Sequence, residues 1–245
     1  MTAAGLIVAS HSLELYITTA HECPYLPERR ATNLLVDPAY PMNGAVYGRL
    51  LDKGFRRSGG DVYKPCCHRC QSCVSTRIPV AEFQPDRSQR RNWKHNSDLR
   101  VVENTDGFHA EYASLYRRYI RARHAGGGMD DDSAGSFADF ILTRWCPTWL
   151  VEFRVQDHLL AVAATDVLPN GLSAVYTFYE PDEGQVRGIG TYALLWQIAR
   201  ARELGKPYVY PGYWIEESPK MNYKTRFQPI EGLIENRWVR LEHQG

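Results

Sequence analysis

The sequence predicts a mixed α/β chain in two units: a smaller cysteine-rich unit, residues 1–103, packed on a larger one, residues 104–245. Three observations carry that expectation. Four of the six cysteines, Cys66, Cys67, Cys70 and Cys73, fall within eight residues, and Cys23 lies upstream in His21-Glu-Cys-Pro-Tyr-Leu26. Composition shifts at Asn104-Thr-Asp-Gly107, after which Phe108, Tyr112, Leu115, Tyr116 and Tyr119 recur with the spacing of one helix face. Beyond that helix come three stretches of strand character, the second and third separated by Pro169-Asn-Gly171, a hairpin turn.

Taken in order, residues 12–18 alternate polar and apolar and read as a strand. Asn43 is placed to cap a helix through Ala45, Val46, Leu50 and Leu51, stopped by Gly54. Phe55-Arg-Arg-Ser-Gly-Gly60 reads as a basic turn, residues 74–80 as a strand, residues 88–96 as a polar helix starting at Ser88, and residues 99–102 as a returning strand. The stretch Ala125–Asp132 is a glycine-rich, then acidic, loop ahead of a helix near Ser136. Strands follow at 149–155, 159–167 and 172–179. Gln185-Val-Arg-Gly-Ile-Gly190 reads as a turn opening a helix over 191–204, ended by Gly205, with a short buried strand at 207–211 and a last strand at 234–241. This order of helices and strands in the second half resembles the acyl-CoA N-acyltransferase fold. Gln185, Gly188 and Gly190 match that fold's Q-x-x-G-x-G turn, where glycine serves backbone geometry or a phosphate cradle.

At 245 residues, 44% hydrophobic and 23% charged, the chain is long enough for a sizeable core. Net charge is +1, so nucleic-acid binding would have to come from local patches. Two exist. Arg87, Arg90, Arg91, Lys94 and His95 surround Trp93, and Arg117, Arg118, Arg121 and Arg123 line the aromatic helix. Each set reads either as phosphate contacts with an aromatic for stacking or as a solvated helix face. Residues 1–10 lack the basic start and the length of a signal peptide or membrane span, which points to the cytoplasm and reduced cysteines. Cys23, Cys67, Cys70 and Cys73 are then candidates for a structural zinc or iron–sulfur site, or for packed thiols, with Cys66 spare. Cys146 stands alone before Pro147 and reads as buried. Tyr208, Tyr210, Tyr213, Trp214 and Tyr223 form an aromatic stretch suited to core packing or to a pocket. There is no H-E-x-x-H, G-x-S-x-G or Walker loop.

Longer motifs carry a further resemblance. In the first half they are Cys23-Pro-Tyr-Leu26-Pro-Glu-Arg29-Arg30, Gly54-Phe-Arg-Arg-Ser-Gly59, Tyr63-x-Pro-x-Cys67-x-x-Cys70-x-x-Cys73 and Phe83-x-Pro-x-x-Ser-Gln-Arg-Arg91. In the second they are Met129-Asp-Asp131, Val175-Tyr-x-Phe-Tyr179-x-Pro181, Gly190-Thr-Tyr192, and Tyr213-Trp-Ile215 with Lys220-Met-x-Tyr-Lys224. Together, over about residues 12–240, they resemble the arginyl-tRNA–protein transferase family, most closely its bacterial branch, the aspartate/glutamate leucyltransferases. Three positions depart from the family pattern. Leu26 and His68 stand where the eukaryotic branch has cysteines, and Gly188 stands where the bacterial branch usually has serine.

The resemblance implies transfer of leucine, or of arginine in the other branch, from aminoacyl-tRNA to the N-terminal amine of proteins beginning with Asp or Glu. The product then enters N-degron degradation. It implies a monomer with no membrane contact and no cofactor needed for the chemistry. On position and resemblance together, Tyr176, Tyr179 and Tyr223 are candidates for proton relay and orientation, and Asp166 for holding the α-amine. Arg30, Arg77 and Lys224 are candidates for the acidic side chain, Gln185, Gly188 and Gly190 for substrate, and Arg87, Arg90, Arg91, Lys94, Arg117, Arg118 and Arg121 for tRNA. A CoA-dependent N-acetyltransferase and a non-catalytic RNA-binding cysteine module are the alternatives.

Overall fold

The computed structural model describes residues 12–123 and 134–242; the Met129-Asp-Asp131 motif and the acidic loop lie outside them. The elements, in chain order, are β1 (Leu15–Ile17), β2 (His21–Glu22), β3 (Arg30–Ala31), β4 (Asn33–Val36), α1 (Gly44–Asp52), β5 (Arg56–Ser58), β6 (Asp61–Pro65), β7 (Val74–Pro79), α2 (Arg87–His95), β8 (Arg100–Asn104), α3 (Ala110–Arg123), α4 (Ala134–Ile141), β9 (Thr148–Val155), β10 (His158–Leu168), β11 (Gly171–Tyr179), α5 (Pro181–Arg187), α6 (Ile189–Glu203), β12 (Tyr208–Trp214), a 3-10 turn (Asn222–Arg226), β13 (Ile230–Ile234) and β14 (Arg237–Leu241).

Eight strands make the main sheet, in the order β14-β13-β7-β12-β11-β10-β9-β8, and four make a smaller one, β1-β4-β6-β5. The main sheet draws β7 and β8 from the first 104 residues, so the boundary expected at 103/104 falls at the end of one of its strands. In this sheet every ladder is antiparallel except β11–β12, whose parallel pairing requires the crossover that α5 and α6 supply. One face carries α6, with Leu194, Leu195 and Ile198 packed on Ile78, Leu172 and Val209. The other carries α3 and α4, with Tyr112, Leu115, Tyr116 and Phe137 on Val162, Ala164 and Phe178. Successive residues of β10 alternate between these faces, and the alanines at 161, 163 and 164 let helices on both sides come close.

Several local expectations change. Residues 56–58 form strand β5 rather than a turn, because a two-residue Gly59-Gly60 connection folds it back on β6 with Ser58 opposite Asp61. Asp86, not Ser88, caps α2, in a reciprocal capping box with Gln89. The last segment is a hairpin, β13–β14, turned at Glu235 and Asn236, both with positive φ as a tight primed turn needs. Asn43 does cap α1, accepting from the Ala45 and Val46 N–H groups at 3.1 and 3.0 Å.

An ion pair in the interior joins the two sheets. Arg57 of β5 reaches Asp166 of β10 through Nε at 2.7 Å and a terminal nitrogen at 2.6 Å, and neither side chain is exposed. The Arg57 guanidinium also donates to the Ile141 and Gly59 carbonyls, and Thr148 Oγ1 donates to Asp166 at 2.7 Å. The pair is therefore fully dressed, the condition under which a buried ion pair is tolerated. Removing one partner strands the other, so Asp166→Ala is expected to lower unfolding free energy in urea by about 3–5 kcal/mol; a loss under about 1 kcal/mol would contradict this role.

Candidate active site at the strand splay

The parallel ladder between β11 and β12 is short. It pairs Gly171–Ser173 with Tyr208–Tyr210 and then stops, although both strands continue. Each strand has a local reason to turn away. Opposite β10, the register slips between Ala164 and Thr165, leaving Val175 as an extra residue that bends β11. Against β7, the β12 register slips between Val209 and Gly212, where Pro211 has no N–H to give a ladder. The strands splay, and residues 174–177 of a central strand are only half-buried.

Polar groups collect along this opening. The Tyr176 hydroxyl is buried with no hydrogen-bond partner among the described residues, and its pKa is raised, first by burial and then by Tyr119, Tyr116 and Tyr179. Tyr179 lies edge-on to Tyr119 at 4.9 Å. Its ring sits so close to α5 that a side chain at Gly184 would meet it at 2.5 Å, a glycine the motifs did not single out. Tyr223, on the 3-10 turn and 39% exposed, has its pKa raised by burial of the hydroxyl and by Tyr179. Next along that turn is Lys224, only 2% exposed. Its ammonium lies 3.5 Å from Met221 Sδ and 5.0 Å from the centre of the Tyr223 ring. Burial, and then the Arg56 guanidinium, pull its pKa down to about 7.

The structure therefore brings Tyr176, Tyr179, Tyr223 and Lys224 together and removes three other candidates. Asp166 is locked to Arg57 in the interior and has no oxygen to spare for an incoming amine. Arg77 is paired with Glu231 at 2.7 Å and Asp52 at 3.4 Å and is stacked between Tyr208 and Trp238, so its charge is already met by two carboxylates. Arg30 is exposed and holds the Ala20 carbonyl across the β2–β3 ladder.

The glycine turn is also different from the expected cradle. Gln185 is an exposed residue inside α5, and Gly188 is the left-handed joint that ends α5 and begins α6. At φ +63 a side chain is disfavoured there, and a Cβ would strike Asn92 Nδ2 at 2.7 Å. Gly190 lies in the first turn of α6, its would-be Cβ 4.0 Å from the Tyr179 ring.

Asn92 belongs to α2, which ties both rims of the site. Asn92 Nδ2 donates to the Arg187 and Gly188 carbonyls, and Gln89 Nε2 donates to the Arg226 carbonyl beyond Lys224. Arg87, Arg90, Arg91 and Lys94 fall at i, i+3, i+4 and i+7 and are all exposed. They form one outward basic stripe with no carboxylate partner among the described residues, beside Trp93, whose ring is 5.2 Å from Tyr192. The second basic set does not make such a stripe: Arg118 already holds Glu180, Arg121 has a partner within the chain, and Arg117 is half-buried.

The thiols of Cys23, Cys67, Cys70 and Cys73 converge where residues 23–32 meet the loop after β6. Arg29 donates to Cys70 Sγ at 3.7 Å and pairs with Glu217, and the Cys66 N–H donates to the Thr32 carbonyl. Burial, with the three other thiols nearby, pushes Cys73 up to about 12, while hydrogen bonds from Ser72 and Arg29 lower Cys70. Among the described residues no three His, Cys, Asp or Glu side chains are grouped to hold a metal ion, and none of the cysteines is in a disulfide.

The depressed Lys224 pKa has a consequence for stability. Arg56 from β5 is the charged group that faces it, with the Tyr223 ring on its own turn. Between about pH 7 and the ordinary lysine value of 10.5, the unfolded chain binds a proton that the folded chain has lost. Stability contributed at this residue therefore rises with pH across that window. The stability of the native protein relative to Lys224→Met should increase from pH 6.5 to 9 in urea melts; a difference independent of pH would contradict the assignment.

Comparison with known proteins fits this geometry. Residues 21–91 match the family description "Arginine-tRNA-protein transferase, N terminus" and residues 111–234 match "Arginine-tRNA-protein transferase, C terminus". The chain is 52% identical over 229 residues to an aspartate/glutamate leucyltransferase of Pseudomonas aeruginosa (strain LESB58), covering 94% of this chain and 97% of that one. It is 52% identical over 227 residues to the protein of the same name from Pseudomonas fluorescens (strain Pf0-1), covering 93% and 96%. Among solved structures, L-PGS from Bacillus licheniformis covers 60% of this chain and 48% of its own at 11% identity with a TM-score of 0.42, too distant to carry an argument. Matched in both halves, in order, and nearly end to end, the chain belongs to the arginine-tRNA-protein transferase family.

Proposed function

We propose that the chain transfers leucine from leucyl-tRNA to the N-terminal amine of proteins that begin with Asp or Glu. The observation that carries the reading is the splay itself: a stretch of β11 that no longer pairs with β12, lined by tyrosines, with a basic helix along its rim. The names of relatives 52% identical over nearly the whole length supply the substrates. The order α3, α4, β9–β11, α6, β12 supports an N-acyltransferase-like second half that takes aminoacyl-tRNA as its acyl donor. A tRNA substrate suits a cytoplasmic protein, and among the described residues no helix is long and apolar enough to cross a membrane.

The reaction is aminolysis of an activated ester. The amine nitrogen of the target attacks the leucyl carbonyl carbon, the C–N bond forms, and the C–O bond to the terminal ribose breaks. The amine loses a proton and the ribose oxygen gains one. An α-amine titrates near pH 8, so much of it is already neutral, and the protein's main task is positioning two substrates. Backbone N–H groups of β11 that no longer face a strand suit the oxyanion, and Tyr176, with its unpartnered hydroxyl, suits protonation of the leaving oxygen. The α2 stripe suits the phosphates near the acceptor end of the tRNA. The cysteine cluster, apart from these groups, is assigned to holding residues 23–32 against the loop that follows β6.

Labelled leucine should move from leucyl-tRNA to an Asp-initiated peptide; no transfer to Asp- or Glu-initiated peptides from leucyl-tRNA would sink the reading. Tyr176→Phe should lower kcat on the order of 10²-fold while leaving the urea midpoint unchanged or higher, since it deletes a buried unsatisfied hydroxyl. Replacing Arg90 and Arg91 with Gln should raise KM for leucyl-tRNA but not for peptide and flatten the salt dependence by roughly one unit of slope per residue.

A further inference from the structure

Arg56 and Arg57 are neighbours in β5, both only 6% exposed, yet they meet opposite fates. Strand alternation sends them to opposite faces. Arg57 finds Asp166. Arg56 finds no carboxylate. Its terminal nitrogens donate to the Phe55 carbonyl at 2.7 Å and the Thr76 carbonyl at 3.0 Å, its Nε is buried without a partner, and the rings of Tyr210 and Tyr213 lie 5.7 and 5.5 Å away. A second basic group, Lys224, lies close enough to feel the Arg56 charge, and its amine has a thioether and an aromatic face for company. Among the described residues neither cation is in an ion pair with a carboxylate.

Two buried basic groups with no carboxylate partner among the described residues are costly to a fold while both are charged, and a carboxylate arriving from outside offsets that cost and favours the charged form of Lys224. Both sit beside β12: Arg56 against Tyr210 and Tyr213, Lys224 on the turn that packs on that strand. Resting on the proposed transfer reaction, we infer that Arg56 and Lys224 together receive the side-chain carboxylate of the incoming N-terminal Asp or Glu and make the site selective for acidic N-termini. The carboxylate has two oxygens for two donors, the unused Arg56 Nε and the Lys224 ammonium. The unbranched Lys224 side chain, held by a weak sulfur contact, can follow the one-methylene difference between Asp and Glu. The target's amine is then presented toward Tyr223, Tyr179 and β11.

The test is transfer from leucyl-tRNA to peptides that differ only in beginning with Asp or Asn. For the native protein the Asp peptide should be strongly preferred. In Lys224→Met and in Arg56→Gln, kcat/KM for the Asp peptide should fall on the order of 10²-fold, so that the Asp-over-Asn ratio collapses. Lys224→Arg, which keeps the charge, should restore much of the ratio. A second measurement uses the native protein alone: an Asp peptide should shield Lys224 from an amine-acylating reagent, read by mass spectrometry, and an Asn peptide should not. Transfer that persists with an unchanged Asp-over-Asn ratio in both variants, or equal shielding by the two peptides, overturns the assignment of this pair. Absence of transfer by the native protein overturns the reaction itself, and shielding by the Asp peptide would still support the pair as a carboxylate site.

Discussion

The buried pair of Arg57 and Asp166 is the constraint on which the arrangement depends. It fixes the β5–β6 hairpin of the small sheet to β10 of the large one, and it spends the buried Asp166 carboxylate on a structural cation. Once Arg57 is committed, the two-residue period of the strand leaves Arg56 pointing the other way, into the aromatic wall of β12 and next to Lys224. Replacing either member of the buried pair would therefore release a charge into the interior and also shift the strand that aims Arg56.

The second constraint is the failure of the β11–β12 ladder. A sheet of eight strands normally leaves no backbone groups unpaired at its centre, because each would lose a hydrogen bond. Here a bulge on one strand and a proline-glycine pair on the other open the ladder at the same level, and the half-buried stretch between Ala174 and Thr177 results. Helix α2 stabilises that opening from outside. Its polar inner face, Gln89, Asn92 and the following Asn96, satisfies carbonyls on both rims, while Arg87, Arg90, Arg91 and Lys94 line its outer face. The fold and the proposed tRNA surface thus use two faces of the same nine-residue helix.

Much of this was legible in the sequence. The second-half strands, the Pro169-Asn-Gly171 hairpin and the aromatic face of α3 follow from periodicity and turn chemistry, which are local. The family resemblance rests on spaced motifs across both halves, each of which matches the family. What sequence could not rank was partnership. Asp166 looked like an available carboxylate and Arg77 like an available guanidinium, but each meets its counter-charge from an element far away in the chain, 109 residues away for Arg57–Asp166 and 154 for Arg77–Glu231. Two adjacent arginines carry no periodic signal, so by sequence Arg56 and Arg57 read together as a basic turn. The one hint was that Gly54-Phe-Arg-Arg-Ser-Gly59 recurs among the family motifs. The short strand β5 and the hairpin turned at Glu235-Asn236 were missed for a related reason: tertiary pairing, not propensity, makes them strands.

The central proposal is that Arg56 and Lys224 receive the target's carboxylate. It is tested most directly by a thermodynamic cycle that crosses Lys224→Met in the protein with Asp→Asn at the first residue of the peptide, using calorimetric affinities without tRNA. If the ammonium and the carboxylate meet, the two changes are strongly non-additive, with a coupling of about 1.5 kcal/mol or more. Additivity within about 0.3 kcal/mol would mean that the peptide's acid is held elsewhere.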